Sequence, residues 1–429
     1  MIHRNILHTI KQDKQNASFI YPYYRRYSIA EIPSTILSLF NIDSKRPALD
    51  EDIHARWKNK FKKILFFFID GLGYDHFLET ERTLPFFFSL GEKGEVYPLT
   101  SVFPSTTPAA LTTLHTGLTP QEHGLPEWTV YFEELDRIIE TIPFRPHLTP
   151  HRSALLDMGG RPDMLYRGTT LYRQLEEHNI KPYVFIYHEY IDGPYSNTTQ
   201  KGAIKVPFKD AKELMQKLVK TLSEEEGRAY FFIYWNHVDV IEHMFGPRSR
   251  EHYEALSNIV TLLGESLATL DKKVAEDTLF LLSSDHGQAS IANEEIIYLN
   301  EFIDLETSYL KSSSATVIRP TGSPHDVFLY VYAHKIDTVL AILRAELEGK
   351  AEVITTQNAL YRGLFGYNEP SQRFIKRIGD ILILPYEGYH VWYRHLPDAH
   401  FGQRGIHGGL SQQEMIVPFA ISPLDKVIN

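Results

Sequence analysis

The sequence of 429 residues contains no cysteine. This absence excludes disulfide bonds, thiolate metal ligands and a cysteine nucleophile together. It also agrees with a reducing compartment, and we therefore expect a cytoplasmic location. Any metal ligation or covalent catalysis must use histidine, carboxylate or hydroxyl side chains.

Long hydrophobic runs are also missing. The apolar stretches are short, such as residues 64–69, and none approaches the ~20 residues that a membrane-spanning helix needs. Residues 1–16 mix apolar side chains with charged and amide side chains and lack the continuous apolar segment of a signal peptide. The sequence therefore predicts no membrane span.

An excess of basic charge is the third absence. Acidic residues outnumber basic residues by 54 to 44, which gives a formal net charge of -10. Proteins that hold duplex nucleic acid depend on a basic face to neutralise phosphates. We therefore expect no stable binding of nucleic acid. The composition leaves the oligomeric state open.

The composition is typical of a chain with a large core, with 43% hydrophobic and 23% charged residues. Compact apolar runs, which predict strands, alternate with stretches of helical periodicity. Runs that are apolar on both faces suit a sheet covered by helices on both sides, so the sequence predicts an α/β fold with a largely parallel central sheet. The predicted strands are 64–70, 183–187, 230–235, 278–283, 327–332, 380–384 and 416–421, and the predicted helices are 170–178, 210–225, 250–274 and 336–348.

We expect four parts along the chain. Residues 1–60 form an N-terminal arm and residues 61–290 the α/β core. Residues 291–378 form a small inserted accessory region, because the stretch 349–378 is the least regular part of the sequence. Residues 379–429 return to the core.

Acidic residues and histidines follow several predicted strands at the points where the strands end. Asp70 ends the first strand, and Asp285 and His286 follow a later one. Gly287 permits the turn that two neighbouring side chains need in order to face one ion. Because ligands of open parallel sheets collect beyond the carboxyl ends of the strands, these residues are candidates for metal ligation.

Two further segments add to this set. Asp239 and His243 are four residues apart after a predicted strand, a spacing that places both side chains on one face of a helical turn. His407 lies between glycines just before the last apolar run. Each motif alone is weak, because a chain with 20 histidines produces such pairs by chance.

The segment around Thr107 predicts a helix amino terminus. Pro108 favours the first helical turn, and Thr107 is the predicted N-cap. The free N–H groups of a helix amino terminus suit a phosphate, and a hydroxyl there can act as a nucleophile if a metal lowers its pKa. The alternative is a threonine that only caps its helix.

Together these segments supply three carboxylates, three imidazoles and one hydroxyl, which is enough for two divalent cations. Nitrogen and oxygen ligands without sulfur favour zinc, with manganese as the alternative. Two such ions can hold a phosphoryl group between them. The predicted metal ligands are Asp70, Thr107, Asp239, His243, Asp285, His286 and His407.

The order of five motifs resembles that of the alkaline phosphatase superfamily, and most closely its nucleotide pyrophosphatase/phosphodiesterase branch. The matches extend from residue 64 to residue 421. This resemblance implies an alkaline-phosphatase-like α/β sandwich. The motifs are IDGLG, FPSTTPAALTTLHTGLTPQEHG, DVIEHMFGP, SSDHGQ and GIHGGLSQQEMIVPF.

The resemblance also implies roles for single residues. One zinc ion would be held by Asp239, His243 and His407. The other would be held by the remaining predicted ligands, with Thr107 as the catalytic nucleophile; Thr106 is the alternative if the register shifts by one. The ligands of this second zinc are Asp70, Thr107, Asp285 and His286.

One position departs from the family pattern. Where the family places an asparagine that contacts a phosphate oxygen, this sequence has Trp128. Tryptophan donates only one N–H group. Trp128 and Tyr74 are the aromatic residues nearest in sequence to the motifs and are our candidates for substrate contact. The neighbouring histidines His76 and His115 are expected to pack or to lie on a helix surface.

The expected function is therefore hydrolysis of small phosphate diesters or pyrophosphates, with nucleotide-type substrates, through a phospho-threonine intermediate. The motifs place no lysine or arginine beside Thr107, which favours a diester over a monoester. A phosphomonoesterase and a phosphosugar mutase on the same metal scaffold are the alternatives. From another class, a metal-bound binding protein without turnover is the alternative that Trp128 favours.

Overall fold

A computed structural model of the protein describes residues 1–12, 18–292, 296–311, 317–396 and 401–428. Its strands are β1 (Lys63–Ile69), β2 (Glu95–Thr100), β3 (Thr129–Phe132), β4 (Arg137–Glu140), β5 (Arg145–Pro146), β6 (Lys181–Tyr187), β7 (Ile204–Phe208), β8 (Ala229–Trp235), β9 (Thr278–Ser283), β10 (Ala289–Ser290), β11 (Ile296–Tyr298), β12 (Thr321–Ser323), β13 (Asp326–Leu329), β14 (Ala351–Thr355), β15 (Ile381–Pro385), β16 (His390–Trp392), β17 (Gly405–Ile406) and β18 (Ile416–Pro423).

The α-helices lie between these strands and at both ends of the described chain. They are α1 (Arg4–Gln12), α2 (Ile32–Leu39), α3 (Glu51–His54), α4 (Tyr74–Thr80), α5 (Pro85–Lys93), α6 (Thr107–Thr116), α7 (Pro120–His123), α8 (Leu171–Glu177), α9 (Pro194–Thr199), α10 (Ala211–Glu224), α11 (His237–Phe245), α12 (Arg250–Leu267), α13 (Lys272–Glu276), α14 (Leu305–Ser308), α15 (Ile336–Glu346), α16 (Thr356–Tyr361), α17 (Gln372–Arg377), α18 (Gln412–Met415) and α19 (Leu424–Val427). Within the described ranges, none of these helices combines the length and the apolar character that crossing a bilayer requires.

The central sheet has seven strands in the order β2-β18-β9-β1-β8-β6-β7. Only β18 runs antiparallel to its neighbours, so the predicted largely parallel sheet is confirmed. All seven residues of β1 are buried, because packed elements cover both faces of the sheet. Both edge strands contain a proline, Pro98 in β2 and Pro207 in β7, and the inner strand β18 contains Pro418 opposite Pro98.

Two predicted strands belong to a separate sheet. The apolar runs at 327–332 and 380–384 correspond to β13 and β15, which pair antiparallel in a four-stranded sheet of order β12-β13-β15-β14. A second hydrophobic cluster lies under this sheet and includes Leu299, Val339 and Ile383. The sequence indicated an accessory layer in this part of the chain, but not its pairing.

The predicted helix over 250–274 is two helices. The helix α12 ends at Leu267, and Asp271 begins the short α13 with an extended backbone at its N-cap. The helix α13 leads directly into β9. The first residue of this strand, Thr278, is buried, and its hydroxyl donates to the Val274 carbonyl at 2.7 Å. The helical periodicity of the sequence, which predicted one helix over 250–274, thus extends across the break between α12 and α13.

The first part of the chain packs against the sheet. The Val96 amide donates to the Met1 carbonyl at 2.9 Å, and the His3 amide donates to the Val96 carbonyl at 2.8 Å, which extends β2 by a bridge. Further along, Arg46 forms two hydrogen bonds with the carboxylate of Glu122, the residue that completes the capping box of α7. The division of the chain into arm, core, insert and return stays a proposal.

The Arg46–Glu122 pair generates a prediction about stability. Burial alone would raise the pKa of Glu122, but hydrogen bonds from Arg46, Thr119 and Asn368 lower it to about 2. A carboxylate with a lowered folded-state pKa contributes stability above its unfolded pKa of ~4.5 and loses that contribution as the pH falls towards 2. We expect Glu122→Gln to reduce the free energy of unfolding by ~1.5–3 kcal/mol at pH 7.

Urea unfolding of the wild type and the variant at several pH values measures this difference. The difference should shrink as the pH falls from ~4.5 towards 2, the window in which Glu122 becomes protonated. Glu226→Gln is the control, because Glu226 is exposed and its replacement should change the free energy of unfolding by less than ~0.5 kcal/mol. A difference that stays constant over this pH window would contradict the assignment.

Candidate active site and metal centre

Three neighbouring parallel strands end at the same edge of the sheet. Both β8 and β9 pair in register with β1, so that Ile69 lies beside Trp235 and Phe68 lies beside Ser283. The residues that follow these strand ends therefore meet. They are Asp70 after β1, Asp239 and His243 on the helix α11 after β8, and Asp285 and His286 after β9.

The first group of predicted ligands surrounds His286. Its Nε2 atom is 3.6 Å from Oδ1 of Asp70 and 3.4 Å from Oδ2 of Asp285. The hydroxyl oxygen of Thr107 lies 3.2 Å from the same Nε2 atom. All four side chains are buried. The structure thus brings one hydroxyl, one imidazole and two carboxylates to a single point.

The second group surrounds Asp239. Its Oδ1 atom is 3.5 Å from Nε2 of His243 and 3.8 Å from Nε2 of His407. The rings of His407 and His286 stack with their centroids 3.6 Å apart, which joins the two groups. All seven side chains that the sequence predicted as ligands therefore lie in one cluster.

Hydrogen bonds from outside the cluster orient its members. The Nδ1 atom of His243 is 2.8 Å from the Gly405 carbonyl, and Nδ1 of His407 is 3.0 Å from the Ser105 carbonyl. Each carbonyl accepts a hydrogen bond from the Nδ1–H group, which leaves Nε2 with a free lone pair directed into the cluster. Metal-binding histidines in proteins are held in this way.

The carboxylates are oriented too, by residues that the sequence analysis did not identify. The hydroxyl of Tyr234 donates to Oδ2 of Asp70, and the side-chain amide of Gln288 donates to Oδ1 of Asp239. The backbone amide of Gly71 donates to Oδ1 of Asp285 at 3.2 Å. Tyr234 lies in an apolar strand and Gln288 is the last residue of the SSDHGQ motif, so the only signal in the sequence was their position near the predicted ligands.

The electrostatics of the cluster are those of a cation site. Burial raises the pKa of Asp70 well above its ordinary value, and the carboxylates of Asp285 and Asp239 raise it further. Burial disfavours the charged form of His407 as well and so lowers its pKa, and the neighbouring His286 and His243 lower this pKa further. Crowded buried carboxylates are costly unless a cation compensates them.

Two buried oxygen atoms show where such a cation fits. Oδ1 of Asp70 and Oδ2 of Asp285 have no hydrogen-bond partner, although buried polar atoms are nearly always paired. These are the same two oxygens that face Nε2 of His286. The donor set of Asp70, Asp285 and His286, like that of Asp239, His286 and His407, has its ligand atoms within 4.8 Å of one another. The residues present therefore fit a divalent metal.

The helix α6 presents Thr107 to the cluster. The sequence predicted Thr107 as the N-cap, but the structure shows Thr106 in that position, with φ -127° and ψ 150°. Thr107 is the first helical residue, because Pro108 occupies the second helical position and fixes the turn one residue earlier than expected. The hydroxyl of Thr106 donates to the Pro126 carbonyl at 3.2 Å and so does not face the cluster.

A cavity of about 530 Å³ opens beside Thr107. Its wall is mostly apolar and aromatic, and Trp128 lies in it with 39% of its surface exposed. Arg152 also lines the cavity, with its guanidinium carbon 4.6 Å from the centroid of the Tyr190 ring. The sequence analysis did not find Arg152, because it lies in an irregular stretch without a motif.

Burial favours the neutral form of one carboxyl group in the same wall. Burial raises the pKa of Glu127 to about 8, although the backbone amides of Trp128 and Thr129 act in the opposite direction. A protonated carboxyl can donate a hydrogen bond. The position next to Trp128 therefore adds a buried carboxyl group to the cavity wall that the sequence pattern did not reveal.

Tyr74, the other candidate for substrate contact, is placed elsewhere. It is the first residue of α4, 1% of its surface is exposed, and it packs in the main hydrophobic cluster. The residues found to line the cavity in the described part of the chain do not include it. The helix α4 turns this side chain into the core, so we leave Tyr74 out of the proposed substrate contacts.

Comparison with known proteins agrees with this geometry. The model of the type I phosphodiesterase/nucleotide pyrophosphatase family matches residues 64–410, which is most of the chain. The chain belongs to this family. The resemblance seen in the motifs is thereby confirmed, and family members depend on metal ions.

Two curated relatives illustrate the distance within the family. An uncharacterized pyrophosphatase/phosphodiesterase of Schizosaccharomyces pombe is 21% identical over 336 residues, covering 76% of this chain and 64% of the relative. Human ectonucleotide pyrophosphatase/phosphodiesterase family member 5 is 25% identical over 215 residues, covering 49% of this chain and 40% of the relative. The chain thus spans less than two thirds of the length of these relatives.

Solved structures confirm the predicted fold class. Murine ectonucleotide pyrophosphatase/phosphodiesterase 5 superposes with a TM-score of 0.64 at 18% identity, covering 83% of this chain and 87% of the murine chain. A second structure of the murine protein is described as an inactive threonine-to-alanine variant in complex with AMP, with a TM-score of 0.64 at 17% identity and the same coverage. The central sheet of this chain therefore has the alkaline-phosphatase-like architecture.

The bond between Tyr234 and Asp70 generates a prediction about metal affinity. Tyr234→Phe removes the donor that orients Asp70 and leaves a second oxygen of this carboxylate unpaired. Replacing the hydrogen-bond partner of a metal ligand typically lowers the affinity for the metal by ~10–100-fold. We therefore expect Tyr234→Phe to bind zinc ~10–100-fold more weakly than the wild type. Competition with a chromophoric chelator measures the affinity. Tyr230→Phe, a buried tyrosine of the same strand, is the matched control, and equal zinc affinity of the two variants would refute this role.

Proposed function

We propose that this chain hydrolyses small phosphate diesters or pyrophosphates, with nucleotide-type substrates. One observation supports this most strongly: the hydroxyl of Thr107 lies 3.2 Å from His286, where the two groups of ligands meet. Membership of the type I phosphodiesterase/nucleotide pyrophosphatase family agrees with it. We also keep the cytoplasmic location as a proposal, on the absence of cysteine.

We infer that the cofactor is a pair of divalent ions, with zinc favoured by the nitrogen and oxygen donors and manganese as the alternative. Asp239, His243 and His407 would hold one ion. Such a pair lowers the pKa of a bound hydroxyl and compensates the charge of a phosphoryl group. The ligands of the other ion would be Asp70, Thr107, Asp285 and His286.

The proposed reaction has two displacements at phosphorus. The Thr107 hydroxyl loses its proton, its oxygen bonds to phosphorus, and the bond between phosphorus and the leaving oxygen breaks. Water then attacks the phospho-threonine, its oxygen bonds to phosphorus, and the Thr107 oxygen leaves and regains a proton. The helix α6 positions the attacking oxygen through its rigid buried first turn.

A solved structure of the murine relative supports the nucleophile and the substrate class. The murine relative is described as inactive when a threonine is replaced by alanine, and as bound to AMP in that form. Thr107 is the threonine of this chain that faces the cluster, whereas the Thr106 hydroxyl is bonded to a backbone carbonyl. We therefore propose Thr107 as the nucleophile and a nucleotide group as the occupant of the cavity.

A phosphomonoesterase is the second candidate function. It is favoured by Arg152, because a cationic side chain in the cavity can bind the additional negative charge of a monoester. The sequence motifs alone had placed no basic residue near the nucleophile. Assays with bis(p-nitrophenyl) phosphate and p-nitrophenyl phosphate distinguish the two functions by the ratio of kcat/KM.

Replacement of the nucleophile is the central test. We expect Thr107→Ala to reduce kcat for bis(p-nitrophenyl) phosphate by roughly 10³-fold or more, because the covalent step is removed. Metal content, measured by mass spectrometry of the dialysed protein, should fall by less than one equivalent, since Asp70, Asp285 and His286 remain.

Two further variants make this test specific. Thr107→Ser keeps a hydroxyl at the same position and should retain most of the activity. Thr106→Ala removes the neighbouring hydroxyl, which bonds to Pro126, and should change kcat less than ~10-fold. Unchanged turnover of Thr107→Ala with metal bound would exclude the nucleophilic role. Absence of hydrolysis in the metal-loaded wild type would favour a binding protein without turnover.

The position of Trp128 generates a prediction about binding. Stacking of a base on an aromatic ring contributes ~1–3 kcal/mol, so Trp128→Ala should raise KM for a nitrophenyl ester of a nucleoside 5'-monophosphate by roughly 10-fold or more. Methyl p-nitrophenyl phosphate, which has no base, should show a smaller change. Tyr361→Ala is the control, because Tyr361 is 90% exposed outside the cavity. Equal effects on both substrates would rule out base stacking by Trp128.

A further inference from the structure

A second cluster of ligating side chains lies inside the protein, apart from the seven residues described above. It consists of His76 on α4, Glu242 on α11 and His252 on α12, and we refer to it as the three-helix cluster. His76 is 3% exposed, and Glu242 and His252 are fully buried. Neither the proposed reaction nor the cavity uses these residues.

The three side chains converge on one carboxylate oxygen. Oε1 of Glu242 is 2.8 Å from Nδ1 of His252 and 3.2 Å from Nδ1 of His76. The two imidazole rings are 4.6 Å apart between centroids. The three ligand atoms all lie within 4.8 Å of one another, as they do in the two groups of the candidate metal centre.

These short contacts do not have the geometry of hydrogen bonds. Both oxygens of Glu242, both ring nitrogens of His252 and Nδ1 of His76 have no hydrogen-bond partner. A comparison within the chain makes the difference clear: Nδ1 of His325 is 2.7 Å from Oε1 of Glu414 and does form a hydrogen bond. In the three-helix cluster the Glu242 oxygen lies off the axis of each ring nitrogen.

Short contacts without hydrogen-bond geometry are expected when side chains bind one shared metal ion. The lone pair of each ligand atom then points at the ion and not at the neighbouring ligand atom. A buried carboxylate that contacts two buried imidazoles without a well-formed hydrogen bond to either is costly, and a cation removes that cost. We propose that the three-helix cluster is a third metal site, which takes a divalent cation of the zinc type through His76, Glu242 and His252.

The enclosure of the site indicates a structural role. No ligand of the three-helix cluster is more than 3% exposed, so the ion would have no position open to a substrate, as in structural zinc sites. The site connects α4 with α11 and α12. More than 150 residues of the chain separate His76 on α4 from Glu242 on α11. It would hold the ends of these helices together.

The third site lies directly behind the candidate metal centre. Glu242 precedes His243 and follows Asp239 by less than one helical turn, so α11 presents ligands to both places. Gly71, which follows Asp70, has φ 81°, and a Cβ atom there would lie 2.7 Å from Oε2 of Glu242. The backbone after Asp70 therefore requires glycine in order to pass the third site.

Anomalous diffraction locates the ion without any variant. Crystals of the full chain grown with zinc, measured above and below the zinc absorption edge, should show a peak between His76, Glu242 and His252. This peak is expected in addition to those at the candidate metal centre. Absence of the peak in zinc-soaked crystals would overturn the proposal.

Metal content provides the second measurement. After dialysis, His252→Gln should contain one zinc fewer per chain than the wild type, whereas Asp285→Asn should keep the zinc of the three-helix cluster. His54→Gln is the matched control, since His54 is also a buried histidine but bonds to the Asp50 carbonyl at 3.1 Å. Equal zinc content of His252→Gln and the wild type would contradict the third site.

The two measurements also separate this proposal from the proposed function. A zinc peak in the three-helix cluster with none beside Asp285 would support the third site and contradict the two-metal reaction. Peaks beside Asp285 alone would support the reaction and overturn the third site.

Discussion

The register between β1 and its two parallel neighbours is the constraint on which the rest of the structure depends. Because β8 and β9 both pair with β1, three strands end at one level, and the residues after them are forced into one small volume. A shift of one residue between β1 and β9 would move Asp70 away from Asp285 and His286, and a shift between β1 and β8 would move it away from Asp239. The buried phenylalanines of β1 help to prevent such a shift, since each must face a neighbour in the core.

The same register creates an electrostatic problem. Three carboxylates meet in a buried volume, and the pKa of Asp70 rises accordingly, first through burial and then through Asp285 and Asp239. Hydrogen bonds from Tyr234, Gln288 and the Gly71 amide orient these groups without neutralising them. The fold thus holds the carboxylates in an arrangement that becomes favourable when positive charge is present, which links folding to metal binding.

Much of the fold and of the candidate site could be predicted, because the signals are local. Apolar runs that end in Asp70 or in Asp285 and His286 indicate both a strand and a ligand position. The pairing of strands is not local: Pro98 and Pro207 obscured the edge strands β2 and β7, and nothing near β13 shows that it leaves the main sheet. Side-chain direction was equally hidden: among the described residues the cavity wall includes Arg152 and not Tyr74, and His76 from the distant helix α4 meets Glu242 and His252.

The order of the ligands along the chain has a consequence for biosynthesis. Asp70 leaves the ribosome long before His407, which stacks on His286. Domains generally fold as units during synthesis, beginning with the parts made first. The nascent protein must therefore shelter a partly assembled, negatively charged pocket until His407 and the inner strand β18 that follows it have been made.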